Sequence, residues 1–487
     1  MVRVDGRGVF LGLTALACLA PRAALGVVAL ATAVQAMLGM LNLLAGIARP
    51  RLHTADRRAS DQPPMFSVHV ATHEEPPQMV IATLRALARQ VGAPDYEVIL
   101  LDNNTKDLSL WLPVQRTCRD LGPRFRFFHV EGVTGAKAGA LNIALRHTDR
   151  AATHVVVVDA DYCVAPAFLA TAAAELACRD DDFIQFPQAY RNVSGAAAGL
   201  SLELADYFLR HARQADSAKA MLLTGTLSVI RRSALEAAGG WSARTITEDA
   251  ELALRLLQQG FQGRFVDRIV GRGILPIDFT GLALQRYRWT AGNADMLRQG
   301  FKGMSARTAI QVFAQLTAWA NMALPLTAGL TGGTCALLLG DDSGQAARLC
   351  ALSGFGLLLV VLSVCLPMVI STIVRGRPAL PVILAALAVR IAMIVPSAMA
   401  SIDAILGRSG TFRRTAKDAG EASERIGWLF PALTAAGLAI LWSWSFLPWL
   451  GLAGAVVLML PHPFARRTCT SLAAYRGSLS SEKDVRT

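Results

Sequence analysis

Apolar residues crowd the two ends of this 487-residue chain, before Arg49 and after Thr308, and leave a middle of ordinary soluble composition. A membrane-crossing helix needs roughly 20 mostly apolar residues. Ala23–Ala48, Leu349–Val374, Gly427–Trp444 and Phe446–Phe464 reach or approach that length, and Thr308–Leu339 exceeds it. The earlier run Val9–Ala20 is shorter and is cut off by Pro21-Arg22, so it reads either as one arm of a hairpin or as a retained signal-like stretch. These ends account for the hydrophobic share of 53% and the mean hydropathy of +0.39. They predict an α-helical transmembrane bundle joined to a soluble domain.

Charge fits the same picture. The formal net charge is +12, and many of the basic residues flank apolar runs: Arg49, Arg51, Arg375, Arg377, Arg413, Arg414, Lys417, Arg466 and Arg467. Juxtamembrane cations of this kind hold loops on the cytoplasmic side, so nucleic acid is not needed as a partner. No zinc-finger spacing or basic–aromatic interleaving suggests one either. The eight cysteines are scattered singly with no CxxC pair, which fits a reduced compartment and argues against structural zinc.

The middle, 65–305, follows a polar linker at 49–64 and alternates strand and helix signals. Phe66–Val70, Glu97–Leu101 and His154–Val158 are short β-branched or apolar runs, with helical spacing over Met79–Gln90 between the first two. Strands apolar on both faces belong to covered parallel sheets, whose ligands sit beyond the carboxyl ends of the strands. Thr72, Asp102 and Asp159 fall at those ends.

Three clusters there carry possible chemistry. Asp159-Ala160-Asp161 places two hard-oxygen ligands at a strand end, suited to Mg²⁺ or Mn²⁺ bridging a diphosphate, although most such triplets are solvated turns. In Thr247-Glu248-Asp249, Thr247 reads as an N-cap with acidic residues in the first helical turn, and a carboxylate so placed can also act as a general base. Gln285-Arg286-Tyr287-Arg288-Trp289 reads as an amphipathic helix with a snorkelling basic face, or as a cation for a departing diphosphate beside an aromatic wall for a sugar.

Taken in order, the motifs Ala71-Thr72-His73-Glu74-Glu75-Pro76, Leu101-Asp102-Asn103-Asn104, Lys137-Ala138-Gly139-Ala140-Leu141-Asn142, Asp159-Ala160-Asp161, Thr224-Gly225-Thr226, Thr247-Glu248-Asp249 and Gln285-x-x-Arg288-Trp289 resemble the family-2 glycosyltransferases. The likeness is to their processive membrane branch, which includes cellulose, mannan and bacterial β-glucan synthases. It implies a GT-A-type α/β catalytic domain on the cytoplasmic face of the plasma membrane, a nucleotide-sugar donor (UDP-glucose first), a growing glucan as acceptor and a divalent cation. Thr72, Glu75, Asp102 and Lys137 look like nucleotide contacts. Asp159 and Asp161 look like the diphosphate–metal pair, with Asp161 the better direct ligand. Asp249 looks like the catalytic base, and Gln285, Arg288 and Trp289 like the signature holding the diphosphate and the acceptor end, with Thr224 and Gly225 beside the acceptor.

Departures narrow the likeness. His73-Glu74 and Asp102-Asn103-Asn104 stand where the family often has Tyr-Asn and Asp-Asp-Gly. Leu222-Leu223-Thr224-Gly225-Thr226 replaces the Phe-Phe-Cys-Gly-Ser of cellulose synthases, which points away from cellulose, while the Asp-Asn-Asn-Thr-Lys run from Asp102, the stretch 124–129 and the stretch 246–252 look closer to β-(1,3)-type glucan synthases. Beyond the domain, two spans are expected over 306–376. Within 377–426, Leu380–Leu406 is interrupted by Arg390 and Pro396 and resembles an interfacial helix, and Thr411–Lys417 resembles the gating loop, with Phe412, Thr415 and Lys417 as its key residues. Two more spans at 427–465 and a cytoplasmic tail at 466–487 complete the expected order, and a cyclic-di-GMP-binding domain is not expected after so short a tail. The competing readings are a non-processive transferase adding one sugar to a lipid, and a catalytically dead membrane scaffold or transport subunit.

Overall fold

The structure is a computed structural model; it describes residues 15, 19–47, 63–193, 195, 197–319, 345–376, 378–405, 407, 426–442 and 449–485. Phe412, Thr415 and Lys417, and most of Val9–Ala20, lie outside them.

The middle of the chain folds around a seven-stranded sheet in the order β3-β2-β1-β4-β7-β6-β8. The strands are β1 Phe66–Thr72, β2 Tyr96–Asn103, β3 Phe125–Val130, β4 His154–Val157, β6 Phe183–Gln185, β7 Ser228–Arg231 and β8 Gly263–Phe265. A separate pair joins β5 Cys163–Val164 to β9 Gly271–Arg272. β1 to β4 run parallel, as the sequence predicts, with Thr72 opposite Asp102 and Asp102 opposite His129. β7, however, runs antiparallel to both β4 and β6, so the sheet is mixed. Period-2 burial is clear in β4: Val156 packs into one core and Val155 and Val157 into the other. Helices Pro77–Ala88 and Phe168–Cys178 cover the first face; Ala136–His147 and Glu248–Gln258 cover the second.

The domain ends later than the apolar pattern suggests. Residues Ala306–Leu316, read as the start of a span, form a helix that belongs to the catalytic core: Val312 and Leu316 are fully buried against it. Gln315 explains why. Its side-chain amide donates to the Ala220 carbonyl (2.6 Å) and its Oε1 accepts from the Leu222 N–H (3.1 Å), fixing the chain that leads into Thr224.

The apolar ends are helical: Pro21–Ile47, Gln345–Arg375, Leu380–Ala392, Ile394–Ile405, Leu429–Trp442 and Trp449–Met459. Among the described residues, Gly354–Val374 and Leu380–Ala404 are long and apolar enough to cross a membrane. Helices 21–47 and 345–375 pack together, with Gln35 donating to Ser363 Oγ at 2.7 Å. The second stretch is broken at Met393 and lies along the catalytic domain, 380–392 on helix Ala197–Tyr207 and 394–405 on helix Phe279–Leu297. Arg390, which looked like an interruption, is buried and pairs with Glu203 (3.2 Å) and Asp206 (2.6 Å) of the domain. Of the stretch expected as a tail, residues 466–485 instead continue the helix Pro461–Val485, which packs against the same body and buries Tyr475 completely.

Candidate active site

The carboxyl ends of β1, β2 and β4 open into a cleft of about 450 Å³. The end of β1 contributes Thr72 and the turn after it Glu75, and the start of helix 136–147 contributes Lys137. The turn after β4 gives Asp159 and Asp161, the approach to β7 gives Thr224 and Gly225, and Asp249 stands in the first turn of helix 248–258. Gln285, Arg288 and Trp289 close the other side from helix 279–297, whose N-terminus is capped by the Asp278 carboxylate accepting the Gly281 N–H (2.6 Å).

Asp102 is placed differently. It lies behind the wall, 3% exposed. Its Oδ1 accepts from the hydroxyls of Thr72 (3.0 Å) and Thr105 (2.8 Å), and its Oδ2 faces His129 Nδ1 (2.8 Å). It therefore organises the wall while Asn103 and Asn104 line the cleft. Asn104 has φ +57 and ties its side chain to Val133 in both directions, fixing the loop before Lys137.

At the centre, the Lys137 ammonium donates to Asp159 Oδ1 (2.5 Å) and to the Gly225 carbonyl (2.7 Å), with Glu248 at 3.9 Å. Burial works against that charge, but Asp159 and Glu248 outweigh it and hold its pKa above the ordinary lysine value. Gly225 has φ +84, a conformation that strains other residues, and a Cβ there would also crowd Asp249 Oδ2 at 3.1 Å, so glycine suits this close pass. Burial, reinforced by the neighbouring Glu248 carboxylate, pushes Asp249 up to about 7, with Lys137 pulling the other way. Burial lowers the pKa of Arg288 while Glu248 and Asp159 favour its charge. Thr247 begins helix 248–258 as expected, but its side chain makes no capping bond; its backbone carbonyl accepts the Glu251 N–H (3.1 Å) instead.

A carboxylate poised near neutrality beside the Lys137 cation is suited to take a proton from a hydroxyl. A base at Asp249 would work only when ionised, so kcat/KM should then rise with pH through about 7 and level off above it. The same shift lowers stability as pH climbs from the ordinary carboxylate range toward 7, because the folded chain keeps a proton that the unfolded chain has released. A rate profile flat between about pH 5 and 8 would remove Asp249 from the base role.

A smaller hollow of about 60 Å³ adjoins the cleft. Gln188, Tyr190, Thr224, Thr247, Asp249 and Trp289 line both, and Tyr207, Phe208 and Trp319 make the hollow aromatic. Thr224 Oγ1 and Gln285 Oε1 are buried without a protein hydrogen-bond partner among the described residues, as expected of groups reserved for a polar ligand. The Gln285–Trp289 signature divides its labour. Gln285, Arg288 and Trp289 face the cleft. Arg286 is buried against Glu203 (2.6 Å) and over the Trp319 ring (3.7 Å), and the Tyr287 hydroxyl donates to Asp403 (2.6 Å) in helix 394–405.

The divalent cation is tested by its donor set. Asp159 and Asp161 are hard-oxygen ligands at a strand end, but no group of three or more His, Cys, Asp or Glu side chains gathers among the described residues. The residues fit a cation whose remaining ligands come from the diphosphate and water, the usual arrangement for Mg²⁺. Sequence reasoning missed Gln188, Tyr190 and Ile274-Leu275-Pro276, which belong to no motif, and Glu248, whose place inside Thr247-Glu248-Asp249 was a usable signal.

A mixed sheet with a nucleotide-sized cleft at its carboxyl edge, floored by carboxylates and flanked by half-buried cations, defines a GT-A-like α/β architecture built for glycosyl transfer. Residues 154–400 match the profile of glycosyl transferase family group 2, and residues 67–239 that of glycosyl transferase family 2. The chain belongs to this family of glycosyltransferases. Among curated relatives, glucomannan 4-beta-mannosyltransferase 7 of Arabidopsis thaliana is 28% identical over 247 residues, 48% of this chain and 44% of the relative. A probable glucomannan 4-beta-mannosyltransferase 11 of the same plant is 25% identical over 244 residues, 48% and 55% respectively. The chain spans about half the length of these relatives. The fold is shared with a mannosyltransferase from Pyrobaculum calidifontis solved with GDP-Man and Mn²⁺, at a TM-score of 0.51 and 20% identity over 72% of this chain and all of that one.

Proposed function

We propose that the chain is an inverting, metal-dependent, processive transferase that builds a β-linked hexose polymer from a nucleoside-diphosphate sugar at the cytoplasmic face of the plasma membrane. The observation that carries this reading is the position of Asp249, raised toward neutral pH where the wide cleft meets the aromatic hollow. In the proposed reaction the donor lies in the cleft and the acceptor end in the hollow against Trp289. Asp249 takes the proton of the acceptor hydroxyl as its oxygen attacks the anomeric carbon from the face opposite the diphosphate. Arg288 and Lys137 offset the charge gathering on the leaving group, an electrostatic role that is usually the largest catalytic contribution. A divalent cation held by Asp159 and Asp161 would add to that charge neutralisation when bound. Phe412, Thr415 and Lys417 are proposed, by family likeness, to close over the donor.

Membrane embedding is supported by the distribution of exposed apolar side chains. Leu30, Met37, Met40 and Leu44 on helix 21–47, Leu362, Leu366 and Val374 on helix 345–375, and Leu438, Trp449 and Val456 further on would otherwise face water.

The donor has two readings. The motifs favour UDP-glucose, giving a β-glucan of β-(1,3) type. The relatives named as glucomannan 4-beta-mannosyltransferases favour a second, mannosyl transfer from GDP-mannose. The protein in detergent, given each labelled donor with Mg²⁺ or Mn²⁺, should make a high-molecular-weight polymer from one of them, and linkage analysis of that product identifies sugar and bond. A single-sugar lipid product from either donor would refute processivity, and no transfer from both would refute the polymerase reading.

A further inference from the structure

The wall of the donor cleft contains a short parallel ladder with a foreign rung. Tyr190 bridges Gly273, through Gly273 N–H to the Ala189 carbonyl (2.9 Å) and Arg191 N–H to the Gly273 carbonyl (3.0 Å). In a parallel ladder the next bond would run from the Leu275 N–H to the Arg191 carbonyl. Instead the Tyr475 hydroxyl stands between them, accepting from Leu275 N–H (3.1 Å) and donating to the Arg191 carbonyl (3.2 Å). Its helix, 461–485, begins far along the chain, and its ring is 1% exposed.

Both spliced segments carry cleft residues: Tyr190 on one, Ile274, Leu275 and Pro276 on the other. The second segment runs directly into Asp278, the cap of the helix that presents Gln285, Arg288 and Trp289. A hydroxyl wedged into a ladder keeps two strands from closing onto each other while leaving neither backbone group unpaired. We infer that Tyr475 is a positioning residue for nucleotide-sugar binding: its hydroxyl holds residues 190–191 and 273–276 apart, sets the width of the donor cleft, and makes the carboxy-terminal helix part of the catalytic unit. This rests on the reading of the cleft as a nucleotide-sugar site.

Tyr475→Phe keeps the buried ring and removes the hydroxyl that makes the relay. In the full chain in detergent, it should weaken nucleoside-diphosphate binding, measured by calorimetry with UDP and GDP, and raise the donor KM, each by about tenfold, the scale of one buried hydrogen-bond relay. kcat should stay within a few fold, and the pH profile set by Asp249 should not move. Amide exchange at Leu275 should accelerate in the variant, because its partner is gone. Unchanged affinity and unchanged exchange at Leu275 would overturn the inference. So would a fall in thermal stability with the folded fraction binding nucleotide normally, which would assign Tyr475 to folding alone. If the wild-type chain binds neither nucleotide, the functional reading fails separately, and exchange at Leu275 still decides whether the hydroxyl holds the wall.

Discussion

Replacing Asp249 with asparagine should abolish sugar transfer while leaving UDP or GDP affinity within a few fold of wild type. Asparagine keeps the shape of the side chain but cannot accept the proton. The loss should fall in kcat, by about 10²–10⁴-fold, the usual worth of a positioned general base. Binding should survive because the cleft-lining groups proposed to meet the nucleotide, Thr72, Glu75, Asn103 and Lys137, belong to other elements. Calorimetry on the purified variant, beside polymer synthesis from labelled donor, separates the two effects. A variant that still makes polymer at near-wild-type rate would mean that another group, Glu248 being nearest in kind, takes the proton.

The second large effect concerns Asp161. Chelator should stop synthesis, and Mg²⁺ or Mn²⁺ should restore it in the wild-type chain. Asp161→Ala should remain inactive, its rate lower by about 10²–10³-fold, even in excess metal. With Asp161 gone, Asp159 alone must hold the cation, and Asp159 already bonds the Lys137 ammonium at 2.5 Å. Full activity in chelator, or full rescue of Asp161→Ala by added metal, would rule out a cation held at this carboxylate pair.

Much of this site could be read from residues because it follows strand ends. β-Branched runs closed by polar residues locate β1, β2 and β4, and the ligand-facing edge follows from their parallel order. What local pattern does not carry is register and cover. Thr72, Asp102 and His129 sit side by side only because three strands pair in one register, which turns Asp102 inward to three neighbours instead of outward to a ligand. β3, rich in aromatic residues and only partly buried, lacks the apolar run that marks a central strand, and β7 is four residues long with nothing to announce its reversed direction. The apolar face of helix 306–316 looks the same whether it meets lipid or the domain core; Gln315 is the residue that distinguishes them, by bonding the backbone at Ala220 and Leu222. Arg390 breaks an apolar run in sequence and completes a charge pair in space. Tyr475 sits in a polar, arginine-bearing stretch where no periodicity foretells a contact made 200 residues earlier.

The contacts of Arg390 and Tyr475 also restrict how the chain can be threaded through a bilayer. Helix 306–316 belongs to the catalytic domain and helix 461–485 returns to touch that domain, so in a membrane-embedded chain both would lie on one side. Any crossings made between those two points must therefore sum to an even number. A count that included 380–404 on apolarity alone would have to strip the Arg390 guanidinium from Glu203 and Asp206 and carry it into hydrocarbon, which is costly. Parity thus gives a rule that needs no hydropathy threshold: tags placed after Val485 and within the catalytic domain must report the same compartment, and a topology that separates them is wrong whatever its score.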